Sequence, residues 1–263
     1  MRILFFGDIV GELGRSALGR ALPLLRRKYQ PDFVIANGEN ASHGRGLNES
    51  HYRYLTDLGI DCITLGNHYH DKVAIDDYID DADNLVRPLN VKNYKHGVGS
   101  ALFEVGGVLI RVTNLLGTAF MNEEVNSPID ELDKLLQENE DELSIHIVDY
   151  HAESTSEKQI FGFYFDGRVS AVLGTHTHVQ TNDMRALPHG TAFCTDVGMC
   201  GELNSVIGFN PDSVIEKIVF GKKEPFMLDK HGTGIVNGVV MDFDLETYSC
   251  SSITPIYLRE ENL

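Results

Sequence analysis

The 263-residue chain contains no long apolar run and no long basic one. Its first residues, Met1-Arg2-Ile3-Leu4-Phe5-Phe6, are apolar but meet Gly7-Asp8 at once, which is too short for the core of a signal peptide. Nowhere else is there a stretch of the roughly 20 apolar residues that a bilayer-spanning helix needs. The cysteines Cys62, Cys194, Cys200 and Cys250 are scattered, without a Cys-x-x-Cys pair, so neither a disulfide framework nor a thiolate zinc site is expected. A soluble, cytoplasmic chain with reduced thiols and no membrane partner fits these features. No basic run exceeds Arg26-Arg27-Lys28, and 39 acidic against 22 basic residues give a net charge of −17. Such a surface repels a nucleic-acid duplex. A Gly-x-Ser-x-Gly elbow is missing too, and Gly7, Gly11 and Gly14 have the wrong spacing for a dinucleotide loop.

Hydrophobic content of 42% and charged content of 23% are those of an ordinary globular protein, and residues 1–263 read as a single α/β domain. Ile3–Phe6, Phe33–Ala36 and Cys62–Leu65 read as strands, separated by helices over Ser16–Lys28 and Glu49–Leu58, the latter capped by Asn48. That spacing argues βαβ units and a parallel sheet. Ser100–Val105 and Val108–Thr113 flank Gly106-Gly107 as a hairpin, Ser127–Gln137 is helix-like, and Ile145–Val148 is a buried strand. The aromatic run Phe161–Phe165 ends in a turn at Asp166-Gly167. Ala171–Leu173, Ala192–Thr195, Gly234–Phe243 and Ser249–Tyr257 complete the strands, and together the pieces suggest one mixed-sheet α/β sandwich.

The informative residues stand just past the strands. They are Asp8 after the first, Glu39 and Asn40 after the second, Asn67 and His68 after the third, His151 after Ile145–Val148, and His176 and His178 after Ala171–Leu173. The carboxyl ends of parallel strands line one rim, where ligands bind. If the chain stays extended beyond Leu173, His176 and His178 share a face. Each residue has a plainer reading: Asp8 as a helix cap, Glu39 as a solvated loop acid, Asn67 as a turn residue, His151 as a half-buried imidazole. Taken together they form a nitrogen and oxygen donor set without thiolate, suited to manganese, iron or zinc. With His68 set aside, the seven remaining candidates exceed one coordination sphere, and two ions roughly 3.5–4 Å apart suit displacement at phosphorus. Such a pair would leave the pocket slightly positive, at about +4 from the ions against about −3 from Asp8, Glu39 and a hydroxide. His43, His51, His70, His96, His146, His189 and His231 stand outside this context and receive no role.

Gly7-Asp8, Gly38-Glu39-Asn40, Gly66-Asn67-His68, His151 and Gly174-Thr175-His176-Thr177-His178 resemble the five ordered motifs of the calcineurin-like metallophosphoesterases. The resemblance is nearest to the YmdB-like bacterial phosphodiesterases and runs over nearly the whole chain, through Asn84-Leu85-Val86-Arg87-Pro88, Thr155-Ser156-Glu157-Lys158, His178-Val179-Gln180-Thr181 and Thr195-Asp196-Val197-Gly198-Met199. With that group it shares Val10 where the wider superfamily has a ligand histidine, and Glu39 where it has a bridging aspartate. The resemblance implies one metal site of Asp8, Glu39, Asn40 and His178, and another of Glu39, Asn67, His151 and His176. It also implies iron or manganese and hydrolysis of phosphodiesters, including 2′,3′- and 3′,5′-cyclic nucleotides. Leu116-Gly117-Thr118-Ala119-Phe120 departs from the group, in which an arginine soon follows that glycine.

The expected mechanism is attack on phosphorus by a metal-bridging hydroxide, with His68 as general acid or phosphate donor; the alternative for His68 is to orient a ligand. Rival readings are another metal-dependent hydrolase (a phosphomonoesterase or nucleotidase, or an amidohydrolase) and a regulatory protein with a metal site. In amidohydrolases the His-x-His pair sits near the chain start, not after more than half of it. The substrate is expected to be small, and assembly of identical chains is left open.

Overall fold

In the computed structural model, which describes residues 1–262, the apolar runs become strands. β1 (Arg2–Phe6), the short β2 (Asp8–Ile9), β3 (Phe33–Asn37), β4 (Cys62–Thr64) and β5 (Leu85–Val86) alternate with helices α1 (Gly11–Tyr29) and α2 (Glu49–Asp57). The hairpin β6 (Ser100–Val105) and β7 (Val108–Leu116) follows, then α3 (Pro128–Glu138), β8 (Ser144–His151), α4 (Thr155–Tyr164) and β9 (Ala171–Thr175). β10 (Arg185–Ala186), β11 (Ala192–Cys194), β12 (Met199–Glu202), α5 (Pro211–Ile218), β13 (Gly234–Phe243) and β14 (Cys250–Arg259) complete the fold.

Among the described residues these strands make two mixed sheets. One runs β2-β12-β13-β1-β3-β4-β5, with β14 also paired to β13; the other runs β10-β11-β9-β8-β7-β6. Alternation along β1 explains the layering. Ile3 and Phe5 pack between the sheets with Ile110, Val112, Ile147 and Leu173. Leu4 and Phe6 point the other way, onto Leu18, Leu22 and Leu25 of α1. Phe161 and Phe165, from α4 and its end, cover Val148, Tyr150 and Val172 on the outer face of the second sheet. Strands buried on both faces need no polar alternation, which is why they read as continuous apolar runs. Each fully buried Leu, Ile or Phe contributes about 1.5–3 kcal/mol relative to an exposed one.

Parallel pairing of β1 with β3 and of β3 with β4, and of β7 with β8 and of β8 with β9, brings their carboxyl ends to one rim. The helix expected over Ser16–Lys28 starts earlier, at Gly11, with Val10 as N-cap and no side-chain cap bond, so Asp8 is not its cap. Gly14, a poor helix former, is required there because a Cβ would strike the Cys200 carbonyl of β12. The aromatic run Phe161–Phe165 belongs largely to α4, capped by Ser154, which accepts from the Glu157 amide. Asn48 caps α2 as expected, accepting from the His51 amide.

Candidate active site

The second sheet delivers His151 as the last residue of β8, and β9 ends just before His176. From the first sheet, Glu39 and Asn40 follow β3 and Asn67 follows β4. Asp8 lies in β2, opposite Met199 of β12. The Asn37 side chain fixes the turn after β3: its Oδ1 accepts from the Glu39 amide at 3.0 Å, and its Nδ2 donates to Leu65 O and Asp149 Oδ2, both at 3.0 Å.

All seven candidate ligands meet at this rim. His151 Nε2 lies 2.9 Å from Asn67 Oδ1, 3.0 Å from Glu39 Oε1 and 3.0 Å from His176 Nδ1. On the other side of Glu39, Asn40 Nδ2 donates to Glu39 Oε1 at 3.1 Å and is 3.2 Å from His178 Nε2, which stands 3.7 Å from Asp8 Oδ1. Glu39 is thus common to both groups. Asp8, Glu39 and His151 are completely buried. No Cβ fits at Gly66, which would drive it into Glu39 Oε2 and the His151 ring.

Extended chain beyond Leu173 does not explain the His-x-His pair. β9 ends at Thr175, and both histidines are left-handed, with φ of 97° for His176 and 66° for His178. Non-glycine residues adopt that region at a cost, and only where surrounding contacts impose it. Here Asp196 Oδ2 accepts from the Thr177 amide at 3.0 Å and from Thr177 Oγ1 at 2.7 Å. Asp196 is itself paired with buried Lys158 at 2.9 Å. The His176 amide donates to Asp8 Oδ2 at 3.1 Å, and His178 Nδ1 bonds the Ile207 carbonyl at 2.8 Å.

Burial pushes the pKa of His151 down to about 3, and burial with neighbouring His151 does the same to His176. Burial drives the Asp8 carboxyl upward, against the pull of His178 and His151. Both imidazoles are therefore neutral near pH 7 and offer lone pairs. Two of the buried oxygens, Asp8 Oδ1 and Asn40 Oδ1, have no hydrogen-bond donor. Lone pairs and carboxylate oxygens crowded together without donors are costly unless a cation lies among them. Glu39, His151 and His176 each offer a ligand atom, all within 4.8 Å of one another. The donor set fits a hard or borderline divalent metal.

His68 stands beside this group: its amide donates to Glu39 Oε2 at 3.0 Å, and its Nδ1 meets Asp71 Oδ2 at 2.9 Å. It lines a cleft of about 350 Å³ together with Arg45, Glu153, Ile207, Phe209 and Phe226. Sequence reasoning assigned no part to Asp149, Lys158, Thr175 or Asp196, although the last three lie in segments carrying the family resemblance. A lysine only 1% exposed within a helix is decipherable only once its partner is seen. In the segment Leu116–Phe120, the amide and hydroxyl of Thr118 and the Ala119 amide all donate to Glu157 Oε1.

Two facing mixed sheets with Asp, Glu, Asn and His gathered at one rim define a mixed α/β fold of the calcineurin-like phosphoesterase and 5′-nucleotidase kind. Within that class the chain belongs to the YmdB-like family, whose model, described as "YmdB-like protein", matches residues 4–256. The chain is 42% identical to the 2′,3′-cyclic-nucleotide 2′-phosphodiesterase of Bacillus subtilis, over 100% of this chain and 99% of that protein. A crystal structure described as a novel phosphatase from Mycoplasma pneumoniae superposes with a TM-score of 0.93 at 39% identity, covering 98% of this chain and 93% of that one. A Staphylococcus aureus structure described as a 5′-nucleotidase gives 0.63 at 16% identity, over 97% of this chain and 54% of that one, a likeness of fold alone.

Proposed function

We propose that the protein is a metal-dependent phosphodiesterase of small substrates, with 2′,3′- and 3′,5′-cyclic nucleotides among them. The convergence of His176 Nδ1, Asn67 Oδ1 and Glu39 Oε1, each within 3.0 Å of His151 Nε2, supports the reading most directly. The name of the B. subtilis relative points the same way. Asp8, Glu39, Asn40 and His178 would hold one divalent ion, and Glu39, Asn67, His151 and His176 a second. Iron and manganese suit these ligands best, with zinc also compatible. Bound there, such ions supply positive charge that acidifies water and stabilises a phosphoryl group gaining negative charge.

The chain's own residues do the rest. Glu39 holds the two groups of ligands together, and the Ile207 carbonyl and Asp196 aim the two histidines of the His-x-His loop. His68 is placed at the cleft to give a proton to the departing alkoxide oxygen, with Asp71 orienting its ring through Nδ1. In this reading residues 1–263 act as one domain, on small cytoplasmic substrates rather than duplex nucleic acid or membrane. The test is elemental analysis of protein purified without added metal, followed by a cyclic-nucleotide assay on the same sample. Close to two ions per chain with turnover, and loss of both in Glu39→Gln, is expected. Full turnover of metal-stripped protein, or of Glu39→Gln, would refute it.

A further inference from the structure

The lining of the cleft combines two chemistries. His68, Glu153 and Arg45 are polar, whereas Val10, Ile207, Phe209 and Phe226 form an apolar wall. That wall adjoins His178, since the carbonyl of Ile207 takes the His178 Nδ1 bond at 2.8 Å. Phe209 and Phe226 are only partly buried. Their ring centroids lie 5.4 Å apart with planes inclined at 48°. Large rings left open beside a polar reaction centre mark a place for an apolar part of a ligand.

The wall is also built rigidly. The Asn210 amide donates to the Met227 carbonyl at 2.8 Å, which ties the residues next to the two phenylalanines together. Asn210 Nδ2 donates to Asp229 at 2.9 Å, and Asn210 Oδ1 accepts from the Ser213 amide at 3.0 Å. Lys217 Nζ sits 4.6 Å from the Phe226 ring centroid, a further contact that holds this ring where it lines the cleft. Since the Asn210 amide group is engaged on both sides, the wall is poor in groups that would read the edge of a base. A flat aromatic ligand is what it can hold.

We propose that Phe209 and Phe226 form a base-stacking subsite beside the reaction centre, which makes the chain favour phosphodiesters carrying a nucleobase without selecting among bases. The proposal rests on the phosphodiesterase reading and names the part of the substrate that this wall takes. Stacking of a base on an aromatic side chain is worth about 1–3 kcal/mol, or roughly 5- to 150-fold in affinity, and is indifferent to base identity.

The test is calorimetric titration of manganese-loaded wild type, Phe209→Leu, Phe226→Leu and the double variant with adenosine 3′-monophosphate, cytidine 3′-monophosphate and ribose 5-phosphate. Leucine keeps apolar volume and removes the ring face. Wild type is expected to bind both nucleotides roughly tenfold or more tightly than the sugar phosphate. The double variant should lose that advantage while its affinity for ribose 5-phosphate stays unchanged. Equal wild-type affinity for all three compounds overturns the subsite, as does an advantage that survives in the double variant. Turnover of 2′,3′-cyclic AMP by the same wild-type sample separates the two readings. Base preference in binding without hydrolysis rejects the phosphodiesterase assignment alone, and hydrolysis without base preference rejects the subsite alone.

Discussion

Thr175 Oγ1 donates to Asp149 Oδ1 at 2.7 Å. Having given its proton to the carboxylate, that oxygen can only accept from His151 Nδ1, which lies 2.8 Å away. While Asp149 is ionised, the proton of His151 therefore sits on Nδ1, and Nε2 presents its lone pair to Glu39, Asn67 and His176. Asp149 is wholly buried, and burial pushes its pKa up to about 7 even though Thr64, Thr175 and Asn37 bond to it.

Replacing Thr175 by Val removes this control while keeping the shape of the side chain. Partners of this kind are worth about 10–100-fold in metal affinity. Thr175→Val should therefore bind manganese that much more weakly in a chelator competition, and Thr175→Ser should be nearly normal. Wild-type affinity in Thr175→Val would show that the hydroxyl does not set the tautomer.

The buried pair Lys158–Asp196 carries a second expectation. Asp196 keeps three further donors, namely the Thr177 amide, Thr177 Oγ1 and the Gly198 amide. Even so, deleting the lysine leaves a carboxylate without its counter-charge in the interior. Lys158→Met should lower unfolding stability by about 3–5 kcal/mol in a denaturant titration. In Lys158→Met/Asp196→Asn the uncompensated charge is gone, so the double variant should be less damaged than the sum of the singles. Strict additivity would mean that the two groups are not energetically coupled.

The strands that end at the site were legible because each is a continuous apolar run, and four of them stop beside a glycine. What escaped was set by partners far away in sequence. β2 is a strand only through its pairing with β12, which is itself held by β13, and neither is long enough to show a period. In α4 the apolar pattern is broken by Lys158, whose ammonium is answered by a carboxylate 38 residues later. The same carboxylate imposes the left-handed turn on the His-x-His loop, which local sequence would leave extended. Phe209 and Phe226 lie outside any strand, with the short α5 between them, and no spacing announces that the two rings meet.

Acid sensitivity should show a contribution from a histidine that sequence reasoning left aside. His146 is buried, bonded through Nε2 to Thr113 Oγ1 at 2.8 Å, and burial with nearby Arg111 pushes its pKa down to about 3. In the unfolded chain it titrates near its ordinary value, so below about pH 6.5 the unfolded state takes up a proton that the folded state refuses. Stability present above that pH is lost as it falls toward 3. By pH 5 this group alone should cost about 2 kcal/mol. His51, pushed to about 4, acts in the same direction in both proteins being compared. His146→Gln should therefore lose less stability than wild type between pH 7 and pH 5, by about that amount, and identical slopes would count against the assignment.

The role of His68 is separable from metal retention by the choice of leaving group. Its ring contact is with Asp71, and it reaches Glu39 through its backbone amide, so His68→Ala leaves the proposed ligands in place. If the imidazole protonates the leaving oxygen, its loss matters for a ribose alkoxide, which departs poorly without a proton. It matters little for p-nitrophenolate, a stable anion. His68→Ala is thus expected to keep its metal content and to lose about 10²–10⁴-fold in kcat on 2′,3′-cyclic nucleotides. On bis-p-nitrophenyl phosphate the same protein should lose tenfold or less. An equal loss on both substrates with metals retained would make His68 a donor to the phosphate rather than the acid, because a hydrogen bond to the phosphoryl group serves every leaving group alike. Loss of metal would instead make it a positioning residue for the Asn67 turn.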